Sequence, residues 1–325
     1  MLILTQKEVQ KILPLSQIKK VIKIVEKGFA DFAQGIAEMP PKMYLNFKEF
    51  EGDLRVMPAW SRSLLMSATK LVNVHPKNPE KGLLTVMAVI VLHDPKTGKP
   101  LALMDGTWIT ALRTGAASAV ATKYLARENA KSLGVVGAGF QAITQIAAIS
   151  KVKRLKEILV YDLKKEKIKN LAKILKKEKI EIKEGELKEV CQKDILVTAT
   201  PAREPVVKNE WILPGTHINA IGADAKGKEE LDPEILKRAK IVVDNFEQAS
   251  HSGEINVPLA KGIIKKEKIY AELGEIVTKK KPARENEKEI TIFDSTGLAI
   301  QDLYTASLVY NLAKRKRLGK EIKII

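Results

Sequence analysis

Cysteine is almost absent from this chain of 325 residues: Cys191 is the only one. A lone thiol forms no internal bridge, so a disulfide scaffold is excluded and a reducing compartment, or indifference to redox state, is expected. Aromatic residues make up only 5%, and none interleaves with the densest basic clusters, Lys279-Lys280-Lys281 and Lys314-Arg315-Lys316-Arg317. Arginine is scarce too, ten of 56 cations, although its planar fork is the better partner for phosphates and bases. The formal charge of +17 therefore reads as a solvated Lys/Glu surface, of the kind common in proteins from hot environments, and not as a nucleic-acid footprint. Long apolar runs are missing as well. No segment approaches the roughly 18 residues of a membrane helix, and Gln6, Lys7, Glu8, Gln10 and Lys11 break up any signal-peptide core near the N-terminus. A cytoplasmic chain with no membrane partner is expected. The four histidines, His75, His93, His217 and His251, fall at no ligand spacing, so no metal site is expected either.

What is present is a globular mixture, 45% hydrophobic and 29% charged, long enough for about two domains. Residues 18–35 carry apolar side chains at Ile18, Val21, Ile22, Val25, Phe29 and Phe32, a helical stripe closed by Gly35. After Pro40-Pro41, five β-like runs follow at 42–47, 54–60, 66–74, 83–92 and 101–105, separated by turn residues. They predict an antiparallel or mixed sheet. Thr107 is a candidate cap for a small-residue-rich helix through Tyr124, able to pack closely on another element. From about Ser132 the pattern changes. Short apolar strands at 133–136, 158–161, 195–198, 217–221, 241–243 and 290–293 alternate with helical spacers, which is βαβ grammar and implies a parallel sheet. The apolar stretch 298–318 predicts a helix that returns to the first domain. The expected organisation is α/β: a Rossmann-type parallel-sheet domain at 118–298, inserted after a mixed α+β domain of residues 1–117 and 299–325.

The sharpest local signal is Gly137-x-Gly139-x-x-Ala142. Gly137 makes the tight turn after a strand, Gly139 lets backbone approach a pyrophosphate at a helix N-terminus, and Ala142 allows close helix–strand packing. Asp162 ends the next strand 25 residues on, where an acid grips the ribose hydroxyls of NAD and repels a 2′-phosphate. NAD is favoured, while Lys164 and Lys165 keep NADP open. Thr200 and the run Ile221-Gly222-Ala223-Asp224 lie at carboxyl strand ends, where ligands bind in such sheets. The cofactor candidates are Gly137, Ala138, Gly139, Phe140, Gln141, Asp162, Thr200, Asn219, Ala220, Ile221, Gly222 and Gly297, joined by the three residues named below.

Longer motifs add to this. Met39-Pro40-Pro41-Lys42, Gly52-Asp53-Leu54-Arg55-Val56-Met57-Pro58-Ala59, Val72-Asn73-Val74-His75-Pro76, Met104-Asp105-Gly106-Thr107 and Leu112-Arg113-Thr114-Gly115-Ala116-Ala117 run in order. They continue through His217 to Asp224, Gly253-Glu254-Ile255-Asn256 and Asp294 to Asp302. Nearly end to end, the chain resembles the ornithine cyclodeaminase/μ-crystallin family, most strongly its archaeal alanine dehydrogenase branch. The resemblance implies a homodimer, and Thr85, Arg113 and Thr114 as further cofactor contacts. It implies Lys70 and Asp224 as the catalytic acid/base candidates, and Lys42 and Arg55 as ligands of a small amino-acid or 2-oxo-acid substrate.

Oxidising an amino acid through NAD needs a cation for the carboxylate, a base for the ammonium proton and a dry hydride path. Lys42, Arg55 and Lys70 are candidates to converge, and neighbouring cations depress a lysine's pKa towards neutrality. Four readings compete. They are NAD-dependent deamination of L-alanine, ornithine cyclodeamination to proline, reduction of cyclic or opine-type imines, and non-catalytic nicotinamide binding of the μ-crystallin kind. Arg55 near the substrate favours a short one, whereas Asp53 or Glu51 would suit ornithine's second ammonium.

Overall fold

The computed structural model describes residues 1–323; Ile324 and Ile325, which close the expected first domain, lie outside the described residues. The chain divides into two compact units. One is Met1–Arg113 with the described residues from Leu298 onward, the other Thr114–Gly297.

In the first unit an eight-stranded sheet runs in the order Lys320–Glu321, Leu2–Leu4, Pro100–Asp105, Val86–His93, Met66–Val74, Gly52–Ser61 and Ala37–Glu38, with Met43–Phe47 also paired to Gly52–Ser61. Pairing is antiparallel except between Leu2–Leu4 and Pro100–Asp105. Alternation assigns the faces. Arg55, Met57, Ala59 and Ser61 point to the buried face of their strand, opposite Val72, Lys70, Ala68 and Met66. Ala68, Lys70 and Val72 continue that face towards Leu92, Ile90 and Ala88. The helices Ile18–Ala33 and Ala299–Lys316 belong to this unit, the first burying Ile18, Val21, Ile22, Val25 and Phe29. Tyr304, fully buried, ties them together: its hydroxyl bonds Asp31 of the first helix and lies 2.8 Å from the Ser61 hydroxyl.

Two local expectations change. The strand predicted at 83–92 starts only at Val86, because Gly82 takes a left-handed φ of 71° after the turn Asn78–Lys81 and pairing resumes at Val74↔Val86. The helix Thr107–Leu125 is capped by Asp105, not Thr107: the Asp105 carboxylate accepts from the Thr107 and Trp108 amides at 3.1 and 2.9 Å. The Thr107 hydroxyl instead accepts from the Ala88 amide at 3.0 Å.

The second unit is a Rossmann-type sheet of eight strands in the order Lys183–Glu184, Glu157–Tyr161, Ser132–Val136, Ile195–Thr198, His217–Ala220, Thr291–Asp294, Lys240–Val243 and Ile269–Glu272. Every pairing is parallel. Successive strands build outward from Ser132–Val136 on one side, then cross to its other side at Ile195–Thr198. That reversal makes the carboxyl end of Ser132–Val136 the switch point, the place where such sheets open a ligand crevice. Gly115 lets its helix meet the helix Phe140–Ile149: a Cβ there would stand 2.4 Å from the Thr144 carbonyl oxygen.

Candidate functional site

In the first unit the sheet's buried face delivers two cations into an otherwise apolar stripe. Lys70 is 1% exposed, and its Nζ lies 2.6 Å from Asp302 Oδ2 and donates to Thr110 Oγ1 at 3.4 Å. Asp302, on the helix Ala299–Lys316, shares its other oxygen with Arg113, whose Nε donates at 3.0 Å while Nη1 donates to Gln301 Oε1 at 3.0 Å. Burial lowers the Lys70 pKa to about 7, helped by Arg113 and Lys42 and opposed by Asp302. A buried lysine at this value exchanges protons near neutral pH. Arg55 forms a two-point pair with Asp53, Nε to Oδ1 at 2.8 Å and Nη2 to Oδ2 at 3.0 Å. Its guanidinium carbon sits 5.4 Å from the Tyr44 ring centre, with Tyr44 its direct cross-strand neighbour. Asp53 therefore has both oxygens engaged, and Glu51 pairs with Lys77 at the surface. Thr85 is half-buried, and its carbonyl accepts from the His75 amide at 2.9 Å.

In the second unit the glycine turn fits a dinucleotide. Gly137 has φ +102°, and a Cβ there would meet the Ala199 carbonyl oxygen at 2.5 Å. A Cβ on Gly139, which precedes the helix Phe140–Ile149, would meet nothing within 4 Å. Open space at the N-terminus of a ten-residue helix is where a pyrophosphate is held. Ala142 is fully buried against the sheet. Asp162 stands beside the turn, its carboxylate accepting from the Ala138 and Lys164 amides, each at 2.9 Å. Phe140 is exposed and Gln141 half-buried. Thr114 is buried near the start of this unit. Thr200 follows Ile195–Thr198; Ala220 ends the neighbouring strand, and Ile221 and Gly222 follow it. Asn219 instead turns its amide to Thr122, donating to Oγ1 at 3.1 Å. Asp224 lies in the loop beyond, where Lys228 Nζ donates to its Oδ1 at 2.7 Å. Gly297, with φ +78°, has its amide held by Asp244 at 2.7 Å. Among the described residues no group of His, Cys, Asp and Glu stands ready to hold a metal ion.

Sequence reasoning passed over Asp302 and Gln301 as site residues, and Glu230, which binds Thr200 and Gly222. For the first pair a signal existed: Gln301-Asp302 interrupts the apolar run Leu298-Ala299-Ile300 and Leu303-Tyr304.

The family model described as ornithine cyclodeaminase/mu-crystallin matches residues 2–317. Alanine dehydrogenase of Archaeoglobus fulgidus is 49% identical over 322 residues, covering 99% of this chain and 98% of that one. A solved archaeal alanine dehydrogenase dimer with bound NAD superposes with a TM-score of 0.95 at 49% identity, covering 100% and 99% of the two chains. Thermococcus litoralis Δ1-pyrroline-2-carboxylate reductase, solved with NADH and L-proline, gives 0.95 at 44% identity, covering 99% and 100%.

Proposed function

The chain belongs to the ornithine cyclodeaminase/mu-crystallin family, and from that premise we propose that it is an NAD-dependent alanine dehydrogenase. L-Alanine, water and NAD+ would give pyruvate, ammonium, NADH and a proton. The observation that carries this reading is the buried Lys70, held near neutrality with a pKa of about 7 on the sheet face it shares with Arg55. NAD is the cofactor, and when bound it supplies the hydride acceptor.

The chain's own residues have separable tasks. Arg55 and Lys42 hold the substrate carboxylate. Lys70, as the neutral amine, takes the proton from the substrate ammonium, releases it to solvent as the net proton of the reaction, and then activates water; Asp302 and Arg113 fix its position and its pKa. Asp224 is the rival acid/base, paired with Lys228. Gly137 to Gln141 receive the pyrophosphate and Asp162 the ribose, with Thr85, Arg113, Thr114, Asn219 and Gly297 as further cofactor contacts. The engagement of Asp53 by Arg55 favours a short substrate over ornithine, whose second ammonium wants a free carboxylate. Retention of Lys70, Arg113 and Asp224 in the sequence weighs against a non-catalytic binder.

A second reading, reduction of a cyclic imino acid, is supported by the likeness to the Thermococcus litoralis reductase, which equals that to the alanine dehydrogenase in TM-score. We further propose a homodimer. Register places Met43, Leu45, Leu54, Val56, Leu71, Met87 and Val89 on the sheet face opposite Lys70, and Met43 and Leu45 are 67% and 57% exposed. Apolar faces of this kind mark association surfaces.

The test is a panel of L-alanine, L-ornithine and Δ1-pyrroline-2-carboxylate with NAD(H) and NADP(H), following absorbance and product identity together. Alanine-dependent NADH with stoichiometric pyruvate is expected. Proline formed from ornithine without net NADH, or turnover confined to the cyclic imine, would replace the proposal.

A further inference from the structure

In sequence, Glu230 is one more acid in a Lys/Glu stretch, Lys226-Gly227-Lys228-Glu229-Glu230. In the structure it is completely buried. Its Oε1 accepts from the Thr200 amide and the Thr200 hydroxyl, both at 2.7 Å. Its Oε2 accepts from the Gly222 amide at 2.8 Å. One carboxylate thus binds the turns that follow two adjacent parallel strands, Ile195–Thr198 and His217–Ala220.

Those turns are in contact. A Cβ on Gly222 would lie 2.3 Å from the Thr200 carbonyl oxygen and 2.5 Å from Glu230 Oε1, so glycine is required for the approach. Glu230 is itself anchored. Its amide donates to Glu254 Oε1 at 2.9 Å, and its carbonyl accepts from the Val206 and Val207 amides at 2.8 and 3.0 Å. Gly253, before Glu254, leaves no room for a Cβ, which would stand 2.4 Å from Asp294 Oδ2. A buried carboxylate that spends both oxygens on three donors is a rigid spacer, because each lost bond leaves a buried polar group unsatisfied.

The strand order says what the spacer serves. The glycine turn and Asp162 occupy the ends of Ser132–Val136 and Glu157–Tyr161, so the pyrophosphate and adenosine half fall there. The other half of a dinucleotide then extends across the switch point, over Thr200 and Gly222. We propose that Glu230 is a positioning residue that sets the spacing of the Thr200 and Gly222 turns and so shapes the seat of the nicotinamide half. The inference rests on the NAD reading above.

The test compares NADH with ADP-ribose, which keeps the adenosine half and pyrophosphate but lacks the nicotinamide. Dissociation constants are measured on the full chain and on Glu230→Gln, with circular dichroism to verify folding. An amide has a single acceptor oxygen, so one turn loses its partner and faces an N–H. ADP-ribose affinity should stay within about twofold while NADH affinity falls about tenfold or more. Equal weakening of both ligands, or an unchanged NADH affinity, overturns the proposal. Glu254→Gln, which leaves the Thr200 and Gly222 bonds in place, should keep the parent ratio of the two affinities; a loss matching that of Glu230→Gln would also overturn it. If Glu230→Gln does not fold, Glu230→Asp, one methylene too short to reach both turns, carries the same comparison with the same outcomes. A parent protein that binds neither nucleotide overturns the cofactor reading itself, a result distinct from a parent that binds both with a ratio insensitive to Glu230.

Discussion

Between Ala68 and Val72, on the face that alternation reserves for apolar side chains, the strand Met66–Val74 places Lys70. Burying an ammonium is costly unless it is paired or neutralised, and here both happen: Asp302 lies at 2.6 Å while burial, Arg113 and Lys42 bring the pKa to about 7. The sign for catalysis follows. The neutral amine acts as the base, so kcat/KM for alanine oxidation should rise with pH through about 7, and the reductive direction should fall over the same range. Asp302 favours the ammonium form, so Asp302→Asn should move the oxidative limb below pH 7. It also leaves Arg113 buried without its anion, at a cost of about 3–5 kcal/mol, visible as a lower Tm. A limb that stays in place in folded Asp302→Asn would remove Lys70 as the base. Lys70 and Arg55 were singled out in the sequence through the family resemblance and lay on its strand-like segments. Glu230 was not, because no local pattern distinguishes a buried glutamate from the other acids of a Lys/Glu stretch that begins with the exposed Lys226.

The helix Thr107–Leu125 shows how small residues set the distance between elements. At Gly115 a Cβ would stand 2.4 Å from a backbone oxygen of the helix Phe140–Ile149, and backbone does not rotate aside as a side chain can. Gly→Ala in an open helix gains up to about 1 kcal/mol, whereas overpacking costs about 1–3 kcal/mol. Contact with backbone makes the second effect win, so Gly115→Ala should lower Tm by several degrees in a thermal melt; an equal or higher Tm would show that the helices have room. Close packing was expected from the run Gly115-Ala116-Ala117-Ser118-Ala119, but its partner was not, since sequence spacing carries no information about which helix lies opposite. The same limit explains the strands. Runs such as Ile195-Leu196-Val197, buried on both faces, are continuously apolar and easy to read. Lys183–Glu184, two exposed residues at the sheet edge, offers no such pattern. The helix Gln6–Ile12 did carry a readable signal, the Thr5/Glu8 capping box, within a stretch read only for its lack of a signal-peptide core.

At the scale of the whole molecule, the first unit's sheet has two unlike faces. One buries Met57, Ala59, Ala68, Val72, Ile90 and Leu92 around Lys70 and Arg55. The other presents Met43, Leu45, Leu54, Val56, Leu71, Met87 and Val89, and Met87 and Val89 are 37% and 42% exposed. An isolated chain in water gains nothing from displaying seven apolar side chains across four strands, where the row Met43, Val56, Leu71 and Val89 is apolar on every strand. A second copy, bringing the same face, would bury it symmetrically. Charge argues that such association must be driven by this apolar surface: two chains of formal charge +17 repel, and the repulsion is screened beyond about 8 Å at physiological salt. Light scattering should therefore give twice the chain mass of 36.1 kDa. The double variant Met43→Glu, Val89→Glu puts a carboxylate at each end of the row Met43–Val56–Leu71–Val89 without touching the Lys70 face, and should convert the protein to monomers. Burying unpaired carboxylates costs several kcal/mol per ion, more than enough to shift a dimer at micromolar concentration. A parent that scatters as a monomer, or a double variant that keeps the doubled mass, would place the association surface elsewhere.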